Sequence, residues 1–125
     1  MYVNNYTTIF FAGLQYDKLP EIISTFDVAI LPFFGGHKKT VPVELFQYLA
    51  VGKSVVASDM PNLPECEAIF ISKSISEAIE HIKQILAGNL SEKNEECAKA
   101  VALRYDWKEI AKELIQGKYN YCVEE

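Results

Sequence analysis

The stretch Thr40 to Val56, TVPVELFQYLAVGKSVV, divides at Gly52 into two different patterns. Before the glycine, Val43, Leu45, Phe46, Leu49 and Ala50 recur at the spacing of a helix with one apolar face, which predicts a buried helix over 43–51. Gly52 suits the left-handed residue that closes many helices, because without a Cβ it enters positive φ at little steric cost. Ser54 to Ala57, SVVA, then reads as a short strand buried on both faces, too apolar to show alternation. A helix that feeds directly into a doubly buried strand is the local signature of an α/β domain with a parallel sheet.

The same grammar extends in both directions. Upstream, Thr7 to Ala12 (TTIFFA) is an apolar run closed by Gly13, and Val28 to Phe33 (VAILPF) is a second one, so both read as strands. Between them Asp17 can cap a helix carrying Leu19, Ile22, Ile23 and Phe26, with Pro20 tolerated in the first turn. Downstream, Asp59 to Pro64 is a two-proline loop and Ala68 to Ile71 (AIFI) a further short strand. Three helices should complete the chain. Ser76 is the expected cap of one with the stripe Ala78, Ile79, Ile82, Ile85 and Leu86, ending at Gly88-Asn89. Ser91 opens another through Leu103, Asp106 caps the last, through Ile115, and residues 118–125 are expected to fray. The expected architecture is a single α/β domain over 1–125: a parallel sheet of about four strands, helices on both faces and a helical carboxy-terminal tail.

Composition narrows the function. A chain of 125 residues can bury one core but is short for an enzyme that holds two substrates between two lobes. A formal net charge of -5 argues against nucleic acid, since neutralising phosphates needs clustered Lys and Arg and the only basic cluster is His37-Lys38-Lys39. Cys66, Cys97 and Cys122 are far apart in sequence and lack metal-site spacing, so they read as reduced thiols and no metal is expected. The amino terminus has no basic leader and only a short apolar run, which suits a cytoplasmic protein without a membrane anchor. No Walker loop, GxGxxG, HExxH, CxxC or nucleophile elbow occurs, so no catalytic residue is assigned.

In open parallel sheets ligands bind at the carboxyl ends of strands, which directs attention to the loop Gly35 to Pro42. It leads straight into a helix start, where unpaired N–H groups and the helix dipole attract an anion. Gly35 and Gly36 permit close approach, Lys38 and Lys39 supply charge, Thr40 a hydroxyl, and His37 is the better placed of the two histidines. The alternative reading of the same residues is a surface loop with solvated lysines. His81 reads as a helix-surface or core-edge histidine, and Asp27 as a cap or turn residue at the wrong end of its strand. Asp59, at the right end, either touches a ligand or closes its loop through a side-chain hydrogen bond. A phosphorylation-receiver domain is excluded, because Leu14-Gln15 follow TTIFFAG where an acidic pair is needed.

Taken in order, IFFAG, YDKLPEII, DVAILPF, TVPVELFQYLAVGKSVVAS and RYDWKEIAKEL resemble the carboxy-terminal, nucleotide-sugar-binding domain of GT-B glycosyltransferases of the group-1, family-4 kind. The resemblance covers nearly the whole chain. Leu19-Pro20, Pro32-Phe33 and Gly52-Lys53-Ser54-Val55-Val56 stand at matching places, with Ser54 where proline is usual, and Asp106-Trp107-Lys108-Glu109 is similar to the family's late Ser-Trp-Glu segment.

That resemblance implies a Rossmann-like lobe that binds a nucleoside diphosphate sugar as donor substrate, with no further cofactor, for transfer of the sugar to a glycan or lipid acceptor. The family's donor signature is a pair of glutamates eight positions apart, and counting back from Gly52 places Lys39 and Gln47 at those two positions. Gln47 can still hydrogen-bond a ribose diol, whereas Lys39 has no acceptor and suits a phosphate. Glu44 stands where the family commonly has lysine. The first strand–helix unit of the lobe and the whole amino-terminal acceptor lobe are expected to be missing from this chain, to be supplied in cis or in trans. The chain alone should not turn over, since transfer needs donor and acceptor held in one cleft. A non-catalytic remnant serving as an interaction or regulatory module is the alternative, and a homo-oligomer is compatible with either.

Overall fold

The computed structural model describes residues 13–34, 41–88 and 92–117. Among them three strands, β1 (Ala29–Leu31), β2 (Val55–Ser58) and β3 (Ile69–Ser72), form one parallel sheet in the order β1-β2-β3. Ala29 pairs with Val55 and Leu31 with Ala57 across the first ladder, and Val55 with Ile69 and Ser58 with Ser72 across the second. Five α-helices accompany the sheet: α1 (Leu19–Ser24), α2 (Val43–Ala50), α3 (Ile75–Leu86), α4 (Glu92–Arg104) and α5 (Trp107–Ile115).

Alternation of side chains along the strands sorts the core into two layers. Ala29, Leu31, Val55, Ala57 and Ile69 share one cluster with Leu45 and Leu49 of α2 and Ala98 and Val101 of α4. Val56 belongs to a second cluster with Ala78 and Ile85 of α3, joined by the partly buried Phe70 and Ile82. Helices therefore cover both sides, and β2 in the middle is buried at all four residues, which explains why its sequence shows no polar alternation. The flanking strands are less covered, leaving Ile30 and Ile71 each about 40% exposed. The first strand read from the sequence, Thr7 to Ala12, lies outside the described residues, as do the Ser91 cap and residues 118–125.

Gly52 closes α2 as the sequence predicts. Its φ is +81°, its N–H donates to Leu49 O at 2.9 Å, and the N–H of Lys53 donates to Tyr48 O at 3.0 Å. This is the paired hydrogen-bond pattern of a Schellman cap, which satisfies two carbonyls that the helix would otherwise leave open.

Other boundaries move. Ser74, not Ser76, caps α3: its Oγ accepts from Glu77 N–H at 3.1 Å, while the Glu77 carboxylate accepts from Lys73 N–H at 2.8 Å. Both serines precede the apolar stripe, but only Ser74 sits in extended backbone with its hydroxyl three residues before a free donor. Asp17 does not cap α1. It lies within a 3-10 turn, Tyr16–Lys18, and α1 ends at Ser24, so Phe26 packs beyond the helix, its ring 6.3 Å from that of Tyr48. Asp106 does cap α5, accepting from Lys108 N–H at 2.8 Å.

Candidate functional site

Because α2 precedes β2 in a parallel sheet, its first turn lies at the carboxyl edge of the strands and its Gly52 end at the opposite edge. At that carboxyl edge Ser58, nearly fully buried, holds two strands together. Its hydroxyl accepts from Phe33 N–H at 3.0 Å and donates to Leu31 O at 3.3 Å, fixing the chain as it leaves β1. Pro42 is the N-cap of α2 in extended backbone, and no side chain caps the helix there. An uncapped helix start at the carboxyl edge of a parallel sheet offers N–H donors and the positive end of the dipole to an anion.

Six of the residues singled out from sequence, Gly35, Gly36, His37, Lys38, Lys39 and Thr40, lie outside the described residues. The other two are on α2. Glu44 is exposed in the first turn, and its charge adds to burial in pushing the Tyr48 hydroxyl above its ordinary range, burial being the larger cause. Gln47, one turn further on, is half-buried and lines two adjoining hollows. The smaller, about 300 Å³, is walled by Tyr16, Leu19, Pro20 and Ile23 on one side and by Ala50 and Val51 of α2 on the other. The larger, about 440 Å³, runs along Val43, Phe46 and Ala50 to Tyr105, Trp107 and Ile110. Tyr16, Gln47 and Ala50 belong to both, so one continuous groove passes over the outer face of α2. Its walls are mainly apolar and aromatic. Gln47, whose amide has both an acceptor and donors, is among its polar lining residues, and an apolar wall with few polar groups is the usual composition of a small-molecule site.

The aromatic side of this groove was not singled out from sequence. Tyr16 comes from the 3-10 turn, and Tyr105 and Trp107 from the corner between α4 and α5, with the Tyr105 ring 4.8 Å from that of Phe46. Their one sequence signal is that large aromatics stand beside helix starts. That they converge on α2 follows from packing alone.

The remaining candidates take structural places. His81 is half-buried, with Nδ1 2.8 Å from the Ser72 hydroxyl and its ring 5.6 Å from that of Phe70. Ser72 is fully buried, so this pair ties β3 to α3 and presents no nucleophile to a substrate. Asp59 is exposed, and its backbone N–H donates to Ser72 O at 3.0 Å. Asp27 is exposed ahead of β1. The separation of the cysteines in sequence is misleading, however: Cys66 and Cys97 meet in the fold, where burial first, and then a hydrogen bond with the Cys97 thiol, pushes the Cys66 thiol up to about 11. Among the described residues no three His, Cys, Asp or Glu side chains gather as a metal site would require, and no helix is long and apolar enough to cross a membrane.

No family model matches the chain, and no solved structure matches it. Among curated proteins the chain is similar to one of Bacillus subtilis (strain 168) described as "Putative teichuronic acid biosynthesis glycosyltransferase TuaH". The two are 21% identical over 106 residues, covering 79% of this chain and 27% of that protein. The chain thus spans about a quarter of the length of this relative, and the likeness supports a distant relationship to glycosyltransferases.

Proposed function

We propose that the chain is the donor-binding portion of a glycosyltransferase, taking a nucleoside diphosphate sugar at the carboxyl edge of its sheet. The observation that carries this reading is Gln47, which lines a groove of apolar and aromatic walls one turn beyond the uncapped start of α2. In the proposed complex the nucleoside lies in the groove against Tyr16, the ribose hydroxyls hydrogen-bond Gln47, and the diphosphate faces the start of α2. Lys38, Lys39 and Thr40, with the close approach that Gly35 and Gly36 permit and with His37 beside them, would complete the phosphate side.

In the parent reaction the developing charge on the leaving diphosphate is the quantity to stabilise, and a helix start with adjacent lysines supplies that stabilisation without a metal. Acceptor binding needs a second lobe, supplied in cis or in trans, and the acceptor is a glycan or a lipid. Support for this reading is the distant likeness to a glycosyltransferase together with the position of Gln47.

Glu44 favours the competing reading, a non-catalytic module that binds another protein. An exposed carboxylate in the first turn of α2 is favourable to the helix but opposes a diphosphate at the same place. Quenching of the fluorescence of Trp107, which lines the groove, by uridine, guanosine or adenosine diphosphate separates the two. Saturable quenching that Gln47→Ala weakens supports the donor site, and none at millimolar nucleotide supports the interaction module.

A further inference from the structure

A second surface hollow lies away from α2. Its volume is about 600 Å³ and it is lined by Glu65, Cys66, Glu67, Lys93 and Cys97. Cys66 belongs to the connection between β2 and β3, and Cys97 to α4. Both thiols are free and half-buried, and both pack against the larger core cluster, so each is held by its surroundings rather than waving on a loop. Two thiols that open to one hollow, pack against one core cluster and sit near enough for Cys97 to act on the Cys66 thiol, on elements thirty-one positions apart in sequence (97 − 66), are the arrangement from which an intramolecular disulfide forms. We propose that Cys66 and Cys97 are a thiol–disulfide modification site, oxidised by a low-molecular-weight peptide disulfide such as glutathione disulfide, and that the link fastens α4 to the β2–β3 connection.

The lining suits that co-reactant, because a peptide disulfide carries both carboxylates and ammonium groups and the hollow presents Lys93 beside Glu65 and Glu67. Either thiol serves as the first attacker. When it is Cys97, its thiolate breaks the glutathione S–S bond and forms a mixed disulfide, and one glutathione leaves as a thiolate that takes a proton. Cys66 then gives its proton to solvent, attacks the Cys97 sulfur and expels the second glutathione. Two thiols are oxidised and one glutathione disulfide is reduced to two glutathiones.

The full chain, reduced and then held at neutral pH with glutathione disulfide, is acid-quenched, alkylated with a maleimide, digested and analysed by mass spectrometry. The expected product is a peptide pair joined through Cys66 and Cys97, about 2 Da lighter than the two reduced peptides together. The same product is expected when Cys122 is replaced in Cys122→Ala. Cys66→Ser should arrest as a glutathione adduct on Cys97. The linked native chain should melt about 5–10 °C above the reduced one, since the link removes loop entropy from the unfolded state. Separate glutathione adducts on Cys66 and Cys97, continued alkylation of both, a link to Cys122 instead, or an unchanged melting point would each overturn the proposal.

Discussion

Gly52→Ala tests the account of α2 most sharply. A Cβ at this position would lie 2.6 Å from Glu95 Cγ and 3.0 Å from Lys99 Cε, on a backbone with φ of +81°. The left-handed conformation costs an alanine about 1–2 kcal/mol. Moving Glu95 adds an off-rotamer cost of about 1 kcal/mol and disturbs its exposed ion pair with Lys99, at 2.7 Å. The whole effect should be about 2–3 kcal/mol, read as a fall in the urea midpoint at unchanged slope. Gly88 supplies the control: its φ is +77° but no atom lies within 4 Å of its Cβ position, so Gly88→Ala should lose only the conformational part, about 1–2 kcal/mol. Combining Gly52→Ala with Glu95→Ala should recover the steric share. Equal losses at Gly52 and Gly88, or no recovery in the double variant, would refute the packing of α4 against the end of α2.

Leu49→Ala, at a side chain with no exposure between α2 and the sheet, should cost about 2–5 kcal/mol in the same denaturation assay. A loss below 1 kcal/mol would place α2 off the core. Stability should also fall as pH rises from 9.0 to about 11, because in that window the unfolded chain releases the Cys66 proton while the folded chain keeps it. Below pH 9 both states hold the proton and this contribution is constant. The drop is on the order of 1 kcal/mol after allowance for the partial exposure of the thiol, and comparison with Cys66→Ser isolates it from the tyrosines and lysines that titrate nearby. A Cys66→Ser chain with the same alkaline profile would remove burial as the cause.

Much of the fold was legible because it depends on local chemistry. The run SVVA announces a doubly buried strand, and Gly52 announces the helix stop, since only glycine enters positive φ there without strain. The sequence points to Ser76 and the cap is Ser74, because composition does not show which serine has extended backbone and the hydrogen bonds of Glu77 decide it. Of the two residues read from the sequence that lie on α2, Gln47 lines the groove, and Glu44 in the first turn lines neither hollow. The aromatic wall of the groove was not legible, because Tyr16, Tyr105 and Trp107 approach α2 from elements far apart in sequence. The contact of Cys66 with Cys97 was hidden for the same reason.

The central claim, a donor-nucleotide groove over α2, is tested most directly by isothermal titration calorimetry of the chain with uridine, guanosine and adenosine diphosphates and their sugars. The account predicts saturable binding of at least one, weakened by Gln47→Ala and strengthened by Gln47→Glu, whose carboxylate accepts charge-assisted hydrogen bonds from the ribose hydroxyls. No saturable heat at millimolar ligand, or binding indifferent to both substitutions, would contradict it.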